Sequence, residues 1–400
     1  MKHLVLCLIG LMLWPLSAAA MLLQEDTVWS GQLSFSETVR VPEGVTLRIN
    51  PKASIHFESG GIEVVAGTLI AEQASFSGDN WNGLTLKGVA SSTKLTSCEI
   101  SGAKTGIFVQ GGAPQLIDLT LSGNKIGIEI KGKAAGRIAE CCFDNNQKVG
   151  LFLKDDSSTS VIDSSFDGNG RFGAYIYRAK PKEFRRNVFS KNDIGLMVAY
   201  HGSTPLIEGN RFSHNRVGVK IDRAAQPLLR GNRIVRNQVG IYCYRRSDPQ
   251  IAANLIDANE TGVLVAYSSY PRINGNDFDG NTLALKLEFQ SSLWEQQRGA
   301  AARASESAAR SAFAAGDASK GAKDVGEEDR RATTLDGTVE ARHNWWGKAE
   351  TTELKRIGAA GNPSFIHDGR DQKLFEDAGE RFPLDKVTHS PWSDRPVTEL

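Results

Sequence analysis

The chain has 400 residues, 40% of them hydrophobic, and a formal net charge of +1. That is enough apolar material for a sizeable core, and the charge is too balanced to point to nucleic acid or a membrane surface as a partner.

Residues 1–20, MKHLVLCLIGLMLWPLSAAA, place a lysine before an apolar run and small residues at Ala18 and Ala20, the layout of a cleavable export signal. The run is shorter than the roughly 20 residues a membrane span needs, and Cys7 is followed by Leu8, which does not suit lipid attachment. No later segment is apolar enough to cross a bilayer. The protein is therefore expected in the periplasm or outside the cell, without a transmembrane segment once the signal is removed. Cys98, Cys141, Cys142 and Cys243 show no CxxC spacing. Cys98, Cys141 and Cys243 read as buried small hydrophobes.

Residues 21–82 alternate as strands do, in TVRVPEGVTLRI for example, and lack the asparagine that marks the later repeats. They are expected to be capping coils. From 83 to 289 the pattern Gly-apolar-x-apolar recurs at Gly83, Gly106, Gly127, Gly150, Gly173, Gly195, Gly218, Gly240 and Gly262, with Ala284 in the tenth place, in steps of 21 to 23 residues. We number coils one to ten by these residues. Asn124, Asn146, Asn169, Asn192, Asn215, Asn237, Asn259 and Asn281 keep the same period. A third element ends in PLIEGN, PLLRGN, PQIAAN and PRINGN. Short strands between Gly and Asn turns at a fixed period predict coils that stack with parallel strands about 4.8 Å apart. Asparagine tolerates left-handed backbone, and its amide can bond the amide one coil away, so the eight asparagines are expected to form an internal structural ladder.

Residues 290–337 break the repeat. AAARASESAARSAFAAG favours helix and KGAKDVGEEDRRATT is charged with almost no apolar content, so a helical or disordered surface insertion is expected. VEARHNWWG then mirrors the spacing of LIEGNRF, which returns residues 338–400 to a final coil and cap.

The Gly/Asn repeats, the opening DTVWSG with VPEGVTLRINP, the turn WNGLTL and the closing NWWG, HDGRDQ and HSPW resemble the right-handed parallel β-helix superfamily, of pectate-lyase-like fold. Within it they resemble especially the exported bacterial PbH1-repeat proteins related to the periplasmic copper-maturation factor of nitrous oxide reductase. The resemblance covers residues 28–400 and implies an all-β solenoid of about twelve coils carrying one insertion. It does not fix an activity, because polysaccharide lyases, glycoside hydrolases and uronate epimerases share the fold.

Hydrolysis needs two carboxyls about 5 to 9.5 Å apart. Two residues past each glycine the outward column contains one acid, Glu129; two residues further on it contains Asp222 and Glu288, three coils apart. Asp155 and Asp156 sit at a turn, where they read as solvated. His56, His201, His214, His343, His367 and His389 show neither HxH nor Met-rich spacing, so no metal and no cofactor is expected.

In NQVGIYCYRR, Val239, Ile241 and Cys243 are assigned to the core and Tyr242 and Tyr244 to the outside. Stacking is expected to bring Tyr175, Tyr177, Arg178, Tyr200, His201, Tyr242, Tyr244, Arg245, Arg246, Tyr267 and Tyr270 onto one outward face. Aromatic rings pack on sugar C–H faces and arginine forks pair with acid groups. The leading expectation is a non-catalytic envelope protein that binds an extended, acidic polysaccharide or an envelope protein, with no nucleic-acid partner. The same side chains could instead only stiffen the sheet. Two other functions stay open: a polysaccharide lyase, hydrolase or epimerase, and a periplasmic assembly factor for a metalloenzyme.

Overall fold

The computed structural model describes residues 20–299 and 335–398. Residues 1–19 of the expected export signal and 300–334 of the expected insertion lie outside them. Each coil contributes three short strands to three parallel sheets; sheets A and B hold 14 strands each and sheet C holds 12. Sheet A collects the glycine strands, among them Phe172–Tyr177, Ile194–Ala199, Val217–Asp222 and Val239–Tyr244. Strands such as Leu206–Glu208 belong to sheet B, and Arg211–Ser213 to sheet C.

Register is fixed residue for residue. Leu196 pairs with Val219, Val219 with Ile241 and Ile241 with Val263, and all four are fully buried. Phe143, Phe166, Phe189 and Phe212 stack under sheet C with ring centroids 4.5 to 4.8 Å apart, the spacing a coil imposes. The repeated glycine is obligatory where the chain turns into sheet A: a Cβ on Gly195 would stand 2.6 Å from the carbonyl oxygen of Gly218.

The expected ladder is present. Each amide from Asn124 to Asn259 donates to the side-chain oxygen of the next coil's asparagine at 2.9 to 3.2 Å, ending on Asn281. The same oxygens accept backbone N–H groups, as when Asn215 N donates to Asn237 Oδ1 at 3.0 Å. Buried amides are tolerable because their polar atoms are paired this way. A second ladder was not foreseen. Asn187, Asn210, Asn232, Asn254, Asn276 and Asn344 are linked at 2.9 to 3.1 Å between sheets B and C. Four of these are the last residues of PLIEGN, PLLRGN, PQIAAN and PRINGN.

The step from Asn276 to Asn344 spans 68 residues. Thr338–Glu340 rejoins sheet B, and Ile366 pairs with Leu285 in sheet A. Beyond it the helix Lys348–Ile357 and the hairpin Leu374–Asp377 with Glu380–Pro383 close this end. The start of the expected insertion is packed: Gln290, Ser291 and Ser292 are buried, and residues 292–299 are helical. Ser292 N and Oγ both donate to Asp385, while Gly337 N donates to Ser292 Oγ at 3.0 Å, so the two stems of the insertion meet at the Ser292 hydroxyl, which Asp385 anchors. No helix among the described residues is long and apolar enough to cross a membrane.

Candidate functional site on the outer face of sheet A

Sheet A shows its outward side chains in columns along the solenoid. Thr85, Phe108, Glu129, Phe152, Tyr175, Met197, Lys220, Tyr242, Leu264 and Lys286 form one, each paired in register with the next. Tyr177, Ala199, Asp222, Tyr244, Ala266 and Glu288 lie beside it on coils five to ten.

At the far end of each strand, five residues past the glycine, the backbone turns left-handed. On coils one to three the residues there are Gly88, Gly111 and Gly132, at φ of 61 to 68°. On coils five to ten they are Arg178, Tyr200, Arg223, Arg245, Tyr267 and Phe289, at φ of 47 to 78°.

Two aromatic runs result. Phe152 stacks on Tyr175 at 4.7 Å, Tyr175 meets Tyr177 edge-on at 5.9 Å, and Tyr177 meets Tyr200 at 4.5 Å. Further along, Tyr242 contacts Tyr244 at 5.1 Å, Tyr244 contacts Tyr267 at 5.1 Å, and Tyr267 stacks on Phe289 at 5.3 Å. Between the runs lies coil seven, which carries Lys220, Asp222 and Arg223. The Lys220 ammonium sits 4.9 Å over Tyr242 and 4.7 Å over Tyr244, and burial among these rings pushes its pKa down. Arg223 lies 4.8 Å over Tyr200 and donates to its hydroxyl. Arg245 lies 4.7 Å over Tyr244, and its Nε donates to Asp222 Oδ1 at 2.7 Å. Burial also pushes the phenols of Tyr175 and Tyr242 well above their ordinary value. The assembly sets lysine and arginine against aromatic faces, with Asp222 paired to Arg245.

A second apolar cluster, separate from the core, lies on this same outer face and shares Met197 and Ala199 with the columns. Val149, Phe172, Ile194, Met197, Ala199 and Val217 form it, and Val239 packs against it. This corrects the assignment of Val239 to the core. The strand starts its alternation only after the tightly packed glycine, so the residue before Gly240 falls outside the solenoid.

Sequence and structure together decide the family. The pattern described as "Right handed beta helix region" matches residues 60–212 and 153–300, together more than half of the chain. The chain belongs to the right-handed β-helix family. No curated protein matches it. Similar solved structures include the periplasmic alginate epimerase AlgG, with 14% identity over 63% of this chain and 74% of that one, at a TM-score of 0.46. The Dettilon tailspike protein is 12% identical over 66% of this chain and 59% of its own, at 0.43. The Streptococcus pneumoniae surface protein and adhesin PfbA is 11% identical over 68% and 90%, at 0.27. These matches concern the fold and do not reach the copper-maturation factor of nitrous oxide reductase.

On this β-helix the structure brings together Tyr175, Tyr177, Tyr200, Tyr242, Tyr244, Arg245 and Tyr267. Arg178 stands at the corner of the face, its N–H bound to Ser203 Oγ at 2.8 Å. His201 follows Tyr200 round the corner, with a buried Nδ1 that has no hydrogen-bond partner among the described residues. Arg246 is 7% exposed and presents little to solvent. Tyr270 is elsewhere: its hydroxyl bonds Ser292 and Asp385 at 2.9 and 3.0 Å, at the insertion stem. Lys220 and Asp222 fall in the outward columns read from the sequence but were not counted toward the face, and Arg223 and Phe289 were missed. Counting five residues past each glycine, rather than looking for tyrosine, finds Arg223 and Phe289. Among the described residues no three His, Cys, Asp or Glu side chains converge as a metal site.

Proposed function

We propose that this protein is exported, is not catalytic, and holds an extended polysaccharide against the outer face of sheet A between coils four and ten. One observation carries the reading. Coils one to three place glycine at the left-handed corner, whereas coils five to ten place arginine, tyrosine and phenylalanine in the same backbone conformation. An L side chain there costs roughly 1–2 kcal/mol. Left-handed non-glycine residues also recur at the other turns, among them Asp118, Asp163 and Arg236, so what marks this corner is the size and chemistry of the side chains it carries. The side chains gained stand outside the core, and flat rings spaced by one coil suit sugar rings laid along the axis. The layout of residues 1–20 supports export.

On the outer face of sheet A the geometry also weighs against hydrolysis by paired carboxyls. Both Asp222 oxygens are engaged by Arg245, and the nearest acid in its column, Glu288, is three coils away, about 14 Å.

The test is retention of a panel of neutral and uronate glycans, with analysis of what is recovered. Expected is retention that falls in Tyr242→Ala and Tyr244→Ala at unchanged melting temperature, with the polymer recovered intact. New reducing ends, unsaturated products or inverted uronates would establish an enzyme instead. Retention of envelope proteins and of no glycan would replace the ligand class.

A further inference from the structure

In sheets A and B several outward arginines meet an acid on a neighbouring coil: Arg40 is in register with Glu63, and Glu208 stands between Arg185 and Arg230. Sheet C holds a different arrangement. Arg211 and Arg233 are in register with each other, and no other register pair of the sheets joins two Lys or Arg residues among the described residues. Val188 precedes them in the column and Leu255 follows, so neither side supplies a carboxylate. Like charges directly opposite one another destabilise a sheet.

Where the same sheet opposes two acids, it relieves them. Asp144 and Asp167 are in register; Asn145 Nδ2 donates to Asp144 at 3.0 Å, and Ser190 and Lys191 both donate to Asp167. No such group answers the two arginines. Among the described residues neither guanidinium has a hydrogen bond or an ion pair, and Arg233 Nε is buried without a partner, a state that costs free energy. Arg236 stands at the adjoining turn beside His214, whose N donates to Arg236 O at 3.0 Å, and both are exposed. One acid borders the group. Asp257 is in register with Val235. Burial and Asp279 push its pKa up, and Arg233 and Arg236 both pull it down, so both arginines lie within its field while bonding to neither of its oxygens.

Two guanidinium groups on strands about 4.8 Å apart suit one tetrahedral anion, since each fork can give two N–H donors to its oxygens. We infer that Arg211 and Arg233, with Arg236 at the rim, bind a phosphate monoester group. Such a group carries about 1.5 to 2 negative charges at pH 7 and three strong acceptor oxygens, which answers both arginines. A carboxylate, with one charge and two oxygens, answers one fork and leaves the other. Soluble phosphate esters and the phosphomonoester headgroup of a lipid share this chemistry. The site lies on sheet C, away from the aromatic strip of sheet A, and stands or falls independently of the polysaccharide reading.

The test uses the whole chain as exported, titrated with inorganic phosphate, with acetate at matched ionic strength, and with phosphatidylcholine vesicles prepared with and without phosphatidic acid. Melting temperature and the arginine Nε–H signals in NMR report binding. Expected is a saturable rise in melting temperature with phosphate, none with acetate, and a phosphate-dependent shift of the Arg233 Nε–H signal. Arg211→Gln and Arg233→Gln should each weaken phosphate binding about tenfold or more. Without phosphate the double glutamine variant should melt no lower than the native chain, because the like-charge contact is gone. Arg211→Lys with Arg233→Lys keeps the charge and removes the forks, and it should also lose most of the phosphate affinity. Sedimentation with the phosphatidic acid vesicles alone, lost in the variants, assigns the group to a lipid headgroup. Phosphate binding without sedimentation assigns it to a soluble ester. Equal effects of phosphate and acetate, phosphate affinity unchanged in the glutamine and lysine variants, or a double glutamine variant that melts well below the native chain without ligand would each overturn the inference.

Discussion

The two halves of sheet A are built on the same backbone and finished differently. Toward the N-terminus the outer face is held by ion pairs such as Arg40–Glu63–Lys87, and its corner is turned by Gly88, Gly111 and Gly132. Toward the C-terminus the same corner carries Arg178, Tyr200, Arg223, Arg245, Tyr267 and Phe289, and rings replace most of the ion pairs. Ala66 and Asp155 hold the same left-handed corner on the coils to either side of the three glycines, so the fold asks for the backbone turn and leaves the side chain free to differ. What distinguishes coils five to ten is that the side chains there are large, aromatic or cationic.

The strongest way to break the comparison is to weaken what both halves share. Asn215→Ala and Asn237→Ala should each cost about 1 to 3 kcal/mol, because buried donors and acceptors on two neighbouring coils lose their partner. Asn232→Ala on the second ladder should cost the same. Asn281→Ala, half-buried at the last rung, should cost less. Equal losses at all four in denaturant melts would contradict a continuous ladder.

Exchanging the corner residues sharpens the contrast. Gly111→Tyr has open space around its new Cβ, so only the left-handed backbone opposes it, and a loss of about 1–2 kcal/mol is expected. Tyr267→Gly should move stability by less than about 1 kcal/mol, since relief of backbone strain offsets the added freedom of glycine and the lost ring contact. Glycan retention should nevertheless fall. A large loss of stability with retention unchanged would make the column a structural brace.

The smallest effect concerns acid. A hydrogen bond from Lys87, seconded by Arg40, holds the Glu63 carboxyl below its ordinary value of 4.5. Its contribution is fully present above that value and is lost as pH falls through the lower, folded one. Glu63→Gln should flatten that part of the stability–pH curve by less than about 1 kcal/mol. Aromatic coils five to ten should show no counterpart at Tyr242.

The solenoid was legible because its signals are steric. Glycine is forced by the approach of a neighbouring carbonyl, and buried asparagine by the need to pair, so both recur with the coil. The second ladder was visible as the final letter of PLIEGN and its relatives, but its role depends on depth, which periodicity does not report. The left-handed corner was hidden wherever arginine or tyrosine occupies it, because neither favours that backbone and nothing in their identity announces a turn. Tyr270 was misplaced for the same reason. Ser268, at φ 61°, turns the chain off sheet A, so a tyrosine three residues after Tyr267 ends among Ser292 and Asp385.

The rung between Asn276 and Asn344 joins residues 68 apart, where an ordinary rung joins residues 22 or 23 apart. Loop-closure entropy grows only with the logarithm of length, so the longer step costs roughly 1 kcal/mol more than a usual coil. A template that accepts its next layer at so small a surcharge is indifferent to what the intervening chain contains. With its two stems joined through Ser292, which Asp385 holds, the long step from Asn276 to Asn344 is a port: a reporter, an epitope or a folded module spliced there should leave the stack to assemble as before.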